Sequence, residues 1–249
     1  AAPVGVDALN FTADFAPDSL GIGDLACRVG PQPVRAQLAV TRFADPYVRF
    51  AVQGNLDLAA IAPMLGQKDM KLAGHAAVNV RGHGRAKDAS AMALDGTAQL
   101  DNVSVETKPL PKKLEAINGG LAFSADKVAI KDLSLKAGQS SVALSASVTR
   151  PLAVMAMPGS VPPAGVQFSL ASPYLDLAEI MPGGGGGPVL PNAKGGGTVR
   201  IARLKNEKLD VKNVSADLAL EPGIMSVPAF GLDGYGGAIR GNARFDLRD

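Results

Sequence analysis

The chain has 249 residues and a formal net charge of +2, and 47% of its residues are hydrophobic although only 4% are aromatic and tryptophan is absent. Its apolar residues are mostly alanine and branched aliphatics, which suit pleated sheets. Because the charge is nearly balanced and lysine and arginine are scattered, the basic footprint of a nucleic-acid-binding protein is excluded. The 29 glycines and 18 prolines indicate frequent turns and argue against long helices.

Apolar and polar residues alternate with a period of two from residue 34 to residue 247. The clearest stretches, in chain order, are residues 34–41, 47–53, 78–81, 142–149, 166–171 and 238–247. A period of two places the apolar side chains of each strand on one face of a sheet. We count about 14 strands, at the spacing expected for a sandwich, a barrel or an extended sheet.

Short turn sequences and a few helix candidates separate these strands. Residues 125–127, 138–140 and 221–223 carry the small and turn-forming residues that close hairpins. Residues 56–65, 112–117 and 175–181 favour two or three short helices, none of them long enough for an amphipathic membrane helix. The glycine run with Pro188, residues 183–188, predicts a flexible loop and not a phosphate cradle, since no Gly-Lys-Ser/Thr follows it.

An internal repeat relates the first and last of these helix candidates. Residues 56–63 and 175–182 are identical at six of eight positions, at an offset of 119 residues. The tripeptide Asn-Val-Ser follows each copy, at residues 102–104 and 213–215. We therefore expect one repetitive unit with repeats at approximately residues 54–172 and 173–249, the second truncated. One-sided units that cannot cover their own apolar face stack into an elongated structure.

Residues that support catalysis or metal binding are sparse. Cys27 is the only cysteine, and no nucleophile-activating motif surrounds it. His75 and His83 are the only histidines, and they form a poor zinc set without a nearby cysteine or carboxylate pair. No serine lies in a Gly-x-Ser-x-Gly elbow. We expect a protein that is not an enzyme, with no catalytic residue, metal or cofactor.

Several motifs, taken together and in order, resemble the AsmA family of Gram-negative envelope proteins. They are the two Leu-Asp-Leu-Ala sequences, the two Asn-Val-Ser sequences, Leu-Glu-Ala-Ile-Asn-Gly at 114–119 and Tyr-Gly-Gly-Ala-Ile-Arg-Gly at 235–241. The resemblance runs from about Phe50 to the end of the chain. It implies a repeating β-groove that projects into the periplasm from an inner-membrane anchor and either carries phospholipid toward the outer membrane or assists envelope assembly. The chain has neither that anchor nor the family's continuation after Tyr-Gly-Gly, so we expect a truncated periplasmic segment.

The alternation and the resemblance together predict a mainly β fold, an extended, curved antiparallel sheet (a β-groove) whose apolar face contacts acyl chains. A strand of about seven residues spans ~23 Å, comparable with an extended acyl chain. The expected partners are phospholipid or another acyl lipid and envelope proteins, but not nucleic acid. The side chains expected to line the groove are Val48, Phe50, Val52, Val78, Val80, Val142, Leu144, Val148, Phe168, Ile239 and Phe245.

Two alternatives stay open at the level of sequence. The same alternation occurs in a β-sandwich whose two apolar faces bury each other and leave no room for lipid. The chain also fits a structural or assembly module that binds envelope or outer-membrane proteins through exposed strand edges. Solvent exposure of the alternating apolar side chains distinguishes a sandwich from an open groove.

Overall fold

A computed structural model of the chain describes residues 6–29, 32–62, 70–87, 92–108, 110–155, 159–180 and 192–246. These residues form one curved, open sheet of 14 strands, which lie side by side in chain order. The prediction of a mainly β fold with an extended, mostly antiparallel sheet and short helices is confirmed. The strands are β1 (Val6–Ala16), β2 (Ser19–Val29), β3 (Gln32–Thr41), β4 (Tyr47–Asp57), β5 (Met70–Arg85), β6 (Ala93–Thr107), β7 (Leu114–Ala125), β8 (Lys127–Ala137), β9 (Ser140–Thr149), β10 (Ala164–Asp176), β11 (Ala193–Asn206), β12 (Leu209–Glu221), β13 (Ile224–Gly234) and β14 (Gly237–Asp246).

Helical structure in the described part of the chain is brief. It consists of α1 (Leu58–Ile61), a 3-10 helix (Pro151–Met155) and α2 (Leu177–Ile180). The helices α1 and α2 lie inside the segments predicted at 56–65 and 175–181, although residues 63–65 and 181 fall outside the described residues, as does the predicted loop 183–188. The sequence did not predict the 3-10 helix.

The helical turn predicted at residues 112–117 is wrong. Leu114 opens β7, where it is paired with Val105 of β6 on one side and with Ala137 of β8 on the other. Pairing on both sides satisfies the backbone of this segment, and tertiary context of this kind overrides a weak local helix preference. The turns predicted at 125–127, 138–140 and 221–223 do join consecutive strands.

The repeated Leu-Asp-Leu-Ala motif ends a strand and starts a helix in both copies. The Oδ1 atom of Asp57 accepts the backbone N–H of Ala59 at 2.9 Å, and Oδ1 of Asp176 accepts that of Ala178 at 3.0 Å. An aspartate in this position satisfies an N–H group that has no partner within the helix. The motif is therefore a strand-to-helix cap.

The repeated Asn-Val-Ser motif places an irregularity in the sheet. Asn102 and Asn213 have φ values of 48° and 51°, and the strand register shifts at each of them. Asparagine tolerates this left-handed conformation better than most residues. Bulges of this kind bend a strand and increase its twist, so the motif contributes to the curvature of the sheet.

The two helix-linked junctions differ in strand direction. Helix α1 lies between the antiparallel strands β4 and β5, whereas α2 lies between β10 and β11, the one parallel pair among the described strands. The chain thus leaves β10 at one end of the sheet and enters β11 at the other. The two copies of the motif share an aspartate cap, but the strands on either side of the helix are antiparallel in one copy and parallel in the other. The predicted repeat boundary near residue 172 stays a prediction.

Candidate functional site

Direct strand pairing joins apolar residues into a row that crosses the sheet from β3 to β14. Residues that oppose each other directly point to the same face, so the row can be followed from strand to strand. At about 4.8 Å per strand its length is ~50 Å. Its members are Ala36, Val52, Val80, Gly96, Phe123, Val128, Val148, Val166, Gly195, Leu220, Met225 and Phe245. We call the face that carries this row the apolar face.

All eleven residues predicted to line the groove lie on the apolar face. Four of them, Val52, Val80, Val148 and Phe245, belong to the row itself. The other seven are an even number of residues away from row members on the same strands, and they are Val48, Phe50, Val78, Val142, Leu144, Phe168 and Ile239. The structure therefore brings the set together on one surface, while their contact with lipid stays a prediction.

The apolar face has no second layer over it in the described part of the chain. The largest fully buried side chain there is Val211, so no described leucine, isoleucine, methionine or phenylalanine is completely covered. Of the eleven predicted residues, nine are half-buried, and Ile239 and Phe245 are each 47% exposed. Extensive contacts join consecutive strands, or a helix to a strand, and do not join one sheet to another. The described strands thus form an open sheet and not a sandwich.

Two helices cover the apolar face locally, toward opposite ends of the strands. Ala60 of α1 packs on Val34 beside the C-terminal end of β4. The 3-10 helix, which follows β9, packs on Ala164, Val166 and Ala193. We call these three residues and their cover the covered patch.

Asn192 holds the 3-10 helix of the covered patch in place through hydrogen bonds. Its fully buried amide donates to the carbonyl oxygens of Ala153, at 3.2 Å, and Val161, at 3.3 Å, while its backbone N–H donates to that of Val154. Two of these acceptors belong to the 3-10 helix, so Asn192 holds that helix against the sheet. Because buried N–H donors without acceptors are costly, the pairing of these donors favours one fixed position of the cover.

Between the covered ends, most of the large apolar side chains of β6 to β9 stay half-buried, whereas the small side chain of Ala98 is buried. We call this region the central strip and define it by Leu100, Phe123, Val128, Leu133 and Leu144. The buried large side chains nearby, Val103 and Ile117, lie at the register shifts of β6 and β7. The central strip lies between the two helix-covered ends and offers partly exposed apolar side chains to a hydrophobic ligand.

Phenylalanine rings lie flat on this face because glycines oppose them. Phe50 is paired with Gly82, and Phe168 with Gly197. A Cβ atom at Gly82 would lie 2.7 Å from the ring of Phe50, and one at Gly197 would lie 2.6 Å from the ring of Phe168. An aromatic ring over a cross-strand glycine covers the exposed backbone. At these two positions the apolar surface is low, because each ring lies against the backbone of the neighbouring strand.

Charged residues pair across strands on the opposite face, which we call the polar face. The guanidinium of Arg81 lies 2.8 Å from the carboxylate of Asp95, its direct cross-strand partner. The ammonium of Lys71 donates to Glu106 at 2.9 Å, and this hydrogen bond and the charge of Lys71 lower the pKa of Glu106. These exposed pairs keep charge away from the apolar face, although each contributes little stability.

The polar face also has a shallow depression of about 720 Å³ over β8 to β12. Small hydroxyl side chains form part of its floor, among them Ser145, Ser169 and Thr198, which oppose one another on adjacent strands. The Thr198 hydroxyl donates to that of Ser169 at 3.4 Å. Short side chains in consecutive strands account for the depression.

The residues first considered for metal or thiol chemistry lie apart. His75 and His83 are exposed on β5, and Cys27 is half-buried beside the α1 contact. Across the described residues, no three histidine, cysteine, aspartate or glutamate side chains are grouped as metal ligands would be. None of the described helices has the length and apolar character needed to span a membrane.

Comparison with known proteins adds no relative. No protein-family model matches the sequence, and no curated protein or solved structure matches it significantly. Inference about function therefore rests on the geometry of the sheet.

Proposed function

We propose that this chain binds acyl lipid on its apolar face without catalysis, as a segment of a β-groove that conducts phospholipid between the inner and outer membranes. One observation carries the proposal: the Ala36–Phe245 row crosses twelve consecutive strands with no second described sheet over it and only local cover from the short helices. Exposed apolar surface of this extent usually marks an interaction site on a soluble protein. An acyl chain is a ligand that needs such a surface and few polar contacts.

The physical gain from lipid binding is large enough to matter. Burial of each methylene contributes about 0.8 kcal/mol, so sixteen methylenes contribute on the order of 10 kcal/mol before the costs of ordering are subtracted. The central strip offers half-exposed leucine, valine and phenylalanine side chains for this contact. Its flat surface favours a ligand bound through area and not through a fitted pocket.

The resemblance to the AsmA family supplies the proposed cellular setting. The capped helix starts and the bulges at Asn102 and Asn213 give the shared motifs a structural meaning in a long curved sheet. We place the chain in the periplasm, as part of a longer protein anchored in the inner membrane. Lipid acquired at one end of a continuous face could move along it by exchange of similar contacts.

A second candidate function rests on the free edges of the sheet. Among the described strands, β1 and β14 pair on one side only. Large apolar side chains are exposed on β1, including Leu9 at 55% and Phe11 at 49%. An unpaired edge can accept a strand from another protein, so an assembly module that binds envelope proteins is the alternative. Crosslinking to outer-membrane proteins, with no lipid recovered, would favour it.

The proposal is tested by lipid recovery and by a matched pair of variants. Native mass spectrometry of the purified protein should detect bound phospholipid, and a fluorescent fatty acid should bind. Leu144→Gln places an amide in the central strip and should weaken fatty-acid binding by about tenfold, because desolvation of an amide costs roughly 1–3 kcal/mol. Ser145→Gln, one residue away on the polar face, should leave binding unchanged.

Two outcomes would overturn lipid binding. One is that no lipid is recovered and no fatty acid binds. The other is that Leu144→Gln and Ser145→Gln weaken binding equally, which would mean that the ligand does not distinguish the two faces. Thermal unfolding of both variants provides the control for folding.

A further inference from the structure

We infer that the chain carries a binding site for a phosphate group beside the polar face, at the end of the sheet where β3 turns into β4. Two guanidinium groups share one tyrosine ring there: the Cζ atoms of Arg42 and Arg49 each lie 5.7 Å from the ring centroid of Tyr47. The imidazole of His83 meets the same ring edge-on, with 6.3 Å between centroids. We call these four residues the arginine cluster. It does not depend on the lipid-binding proposal.

The turn that carries Arg42 is held from both sides. The backbone N–H of Arg42 donates to the carbonyl oxygen of Asp18 in the β1–β2 turn at 2.8 Å, and its own carbonyl accepts from Asp45 at 2.9 Å. On the other side, the N–H of Ala86 donates to the carbonyl oxygen of Pro46 at 2.8 Å. The backbone of the turn is thus fixed before any ligand arrives, which reduces the entropic cost of binding.

Two carboxylates beside the turn that carries Arg42 have partners of their own. The carboxylate of Asp18 accepts the backbone N–H of Phe43 at 2.8 Å, and that of Asp45 faces Arg85 at 3.7 Å. Within the described residues, neither Arg42 nor Arg49 forms an ion pair. Both guanidinium groups are exposed. Each Cζ atom lies 5.7 Å from the same ring centroid, so the separation of the two cannot exceed twice that distance, and their like charges repel. An anion between them would relieve that repulsion.

The chemistry of the cluster selects a phosphate-type anion. A guanidinium presents a planar fork of N–H donors that matches two phosphate oxygens, and two such groups can hold one phosphate from two directions. Val48 lies between Tyr47 and Arg49 and points to the apolar face, so that face reaches the same end of β4 from the other side of the sheet. A lipid headgroup and a soluble phosphate ester share this chemistry.

Calorimetric titration with inorganic phosphate tests the site. Arg42→Gln and Arg49→Gln should each weaken binding by about tenfold, the loss of a charge-assisted contact worth ~1.4 kcal/mol. Arg35→Gln is the control, since Arg35 is exposed on the same face and its replacement changes the net charge equally. It should alter phosphate affinity less than twofold. Arg49 lies in a regular strand, so its variant is informative even if the turn at Arg42 tolerates change poorly.

The inference is overturned if phosphate does not bind, or if Arg35→Gln weakens binding as much as the two cluster variants do. Flotation with vesicles of phosphatidylcholine, with and without phosphatidylglycerol, distinguishes the sources of the phosphate. Association with the anionic vesicles that both cluster variants lose identifies a headgroup, whereas binding of glycerol phosphate alone identifies a soluble ester. Leu144→Gln should leave phosphate affinity unchanged, so a failure of the lipid proposal is separable from a failure of this site.

Discussion

The covered patch and the central strip belong to the same face, and even to the same row, yet their burial differs. Val166 in the covered patch is only 6% exposed, while Val128, two strands away in the row, is half-buried. The two side chains are identical and both lie in paired strands. What differs is that the chain folds the 3-10 helix back onto one of them. Burial in this sheet therefore comes from local cover, and the uncovered remainder is available for a ligand.

The largest effect is expected in the covered patch. Val166→Ala should lower the free energy of unfolding by about 2 kcal/mol, because it deletes buried methyl groups and leaves a cavity beneath the 3-10 helix. Urea unfolding followed by circular dichroism provides the measurement. A negligible loss would show that the 3-10 helix does not pack as described.

The same substitution in the central strip should cost less. Val128→Ala should lower the free energy of unfolding by less than about 1 kcal/mol, because only part of the side chain is removed from water in the folded state. Both variants lose the same atoms, so the difference between their losses of unfolding free energy reports the difference in burial between the covered patch and the central strip. Equal losses at the two positions would mean that the central strip is covered and would remove the basis for lipid binding.

A smaller, pH-dependent effect is expected at α2, which is held by hydrogen bonds instead of apolar cover. The Glu179 carboxylate accepts the Ser140 hydroxyl at 2.6 Å and the backbone N–H groups of Gln139 and Ser140, and these bonds lower the pKa of Glu179. The carboxylate therefore contributes stability above its unfolded pKa, and that contribution is lost as pH falls through the lowered folded value.

The matching experiment is a series of urea midpoints between about pH 7 and pH 3 for the wild-type chain and Glu179→Gln. We expect the variant to lose less than about 1 kcal/mol at pH 7 and to converge with the wild type at the acidic end, because glutamate is protonated there. A constant difference across the series would contradict the role assigned to the charged carboxylate.

Period-two alternation accounted for most of what the sequence predicted correctly. It located six of the described strands and assigned their apolar face, because side-chain direction follows residue parity wherever no bulge interrupts a strand. The helix predicted at 112–117 does not form, because Leu114 has strand partners on both sides. No local sequence pattern indicates those partners. The 3-10 helix and the parallel β10–β11 pair were not predicted because both depend on where a connection returns the chain.

The arginine cluster was missed for a related reason. Tyr47 and Arg49 alternate as strand residues do, and nothing local distinguishes them from other polar-face residues. His83 joins them only through the β4–β5 register, and Arg42 only through a turn that Asp18 holds in place. Two connections that are distant in sequence create the cluster, and a single sequence does not reveal them.

The availability of the apolar face to hydrocarbon can be measured at adjacent residues. With Cys27 replaced by serine, a fluorescent label is attached through Leu144→Cys in the central strip or through Ser145→Cys on the polar face, and a nitroxide-labelled fatty acid is titrated in. We predict strong quenching at position 144 and little at position 145, because neighbouring side chains in a strand point to opposite faces. Equal quenching at both positions, or none at either, would contradict the account.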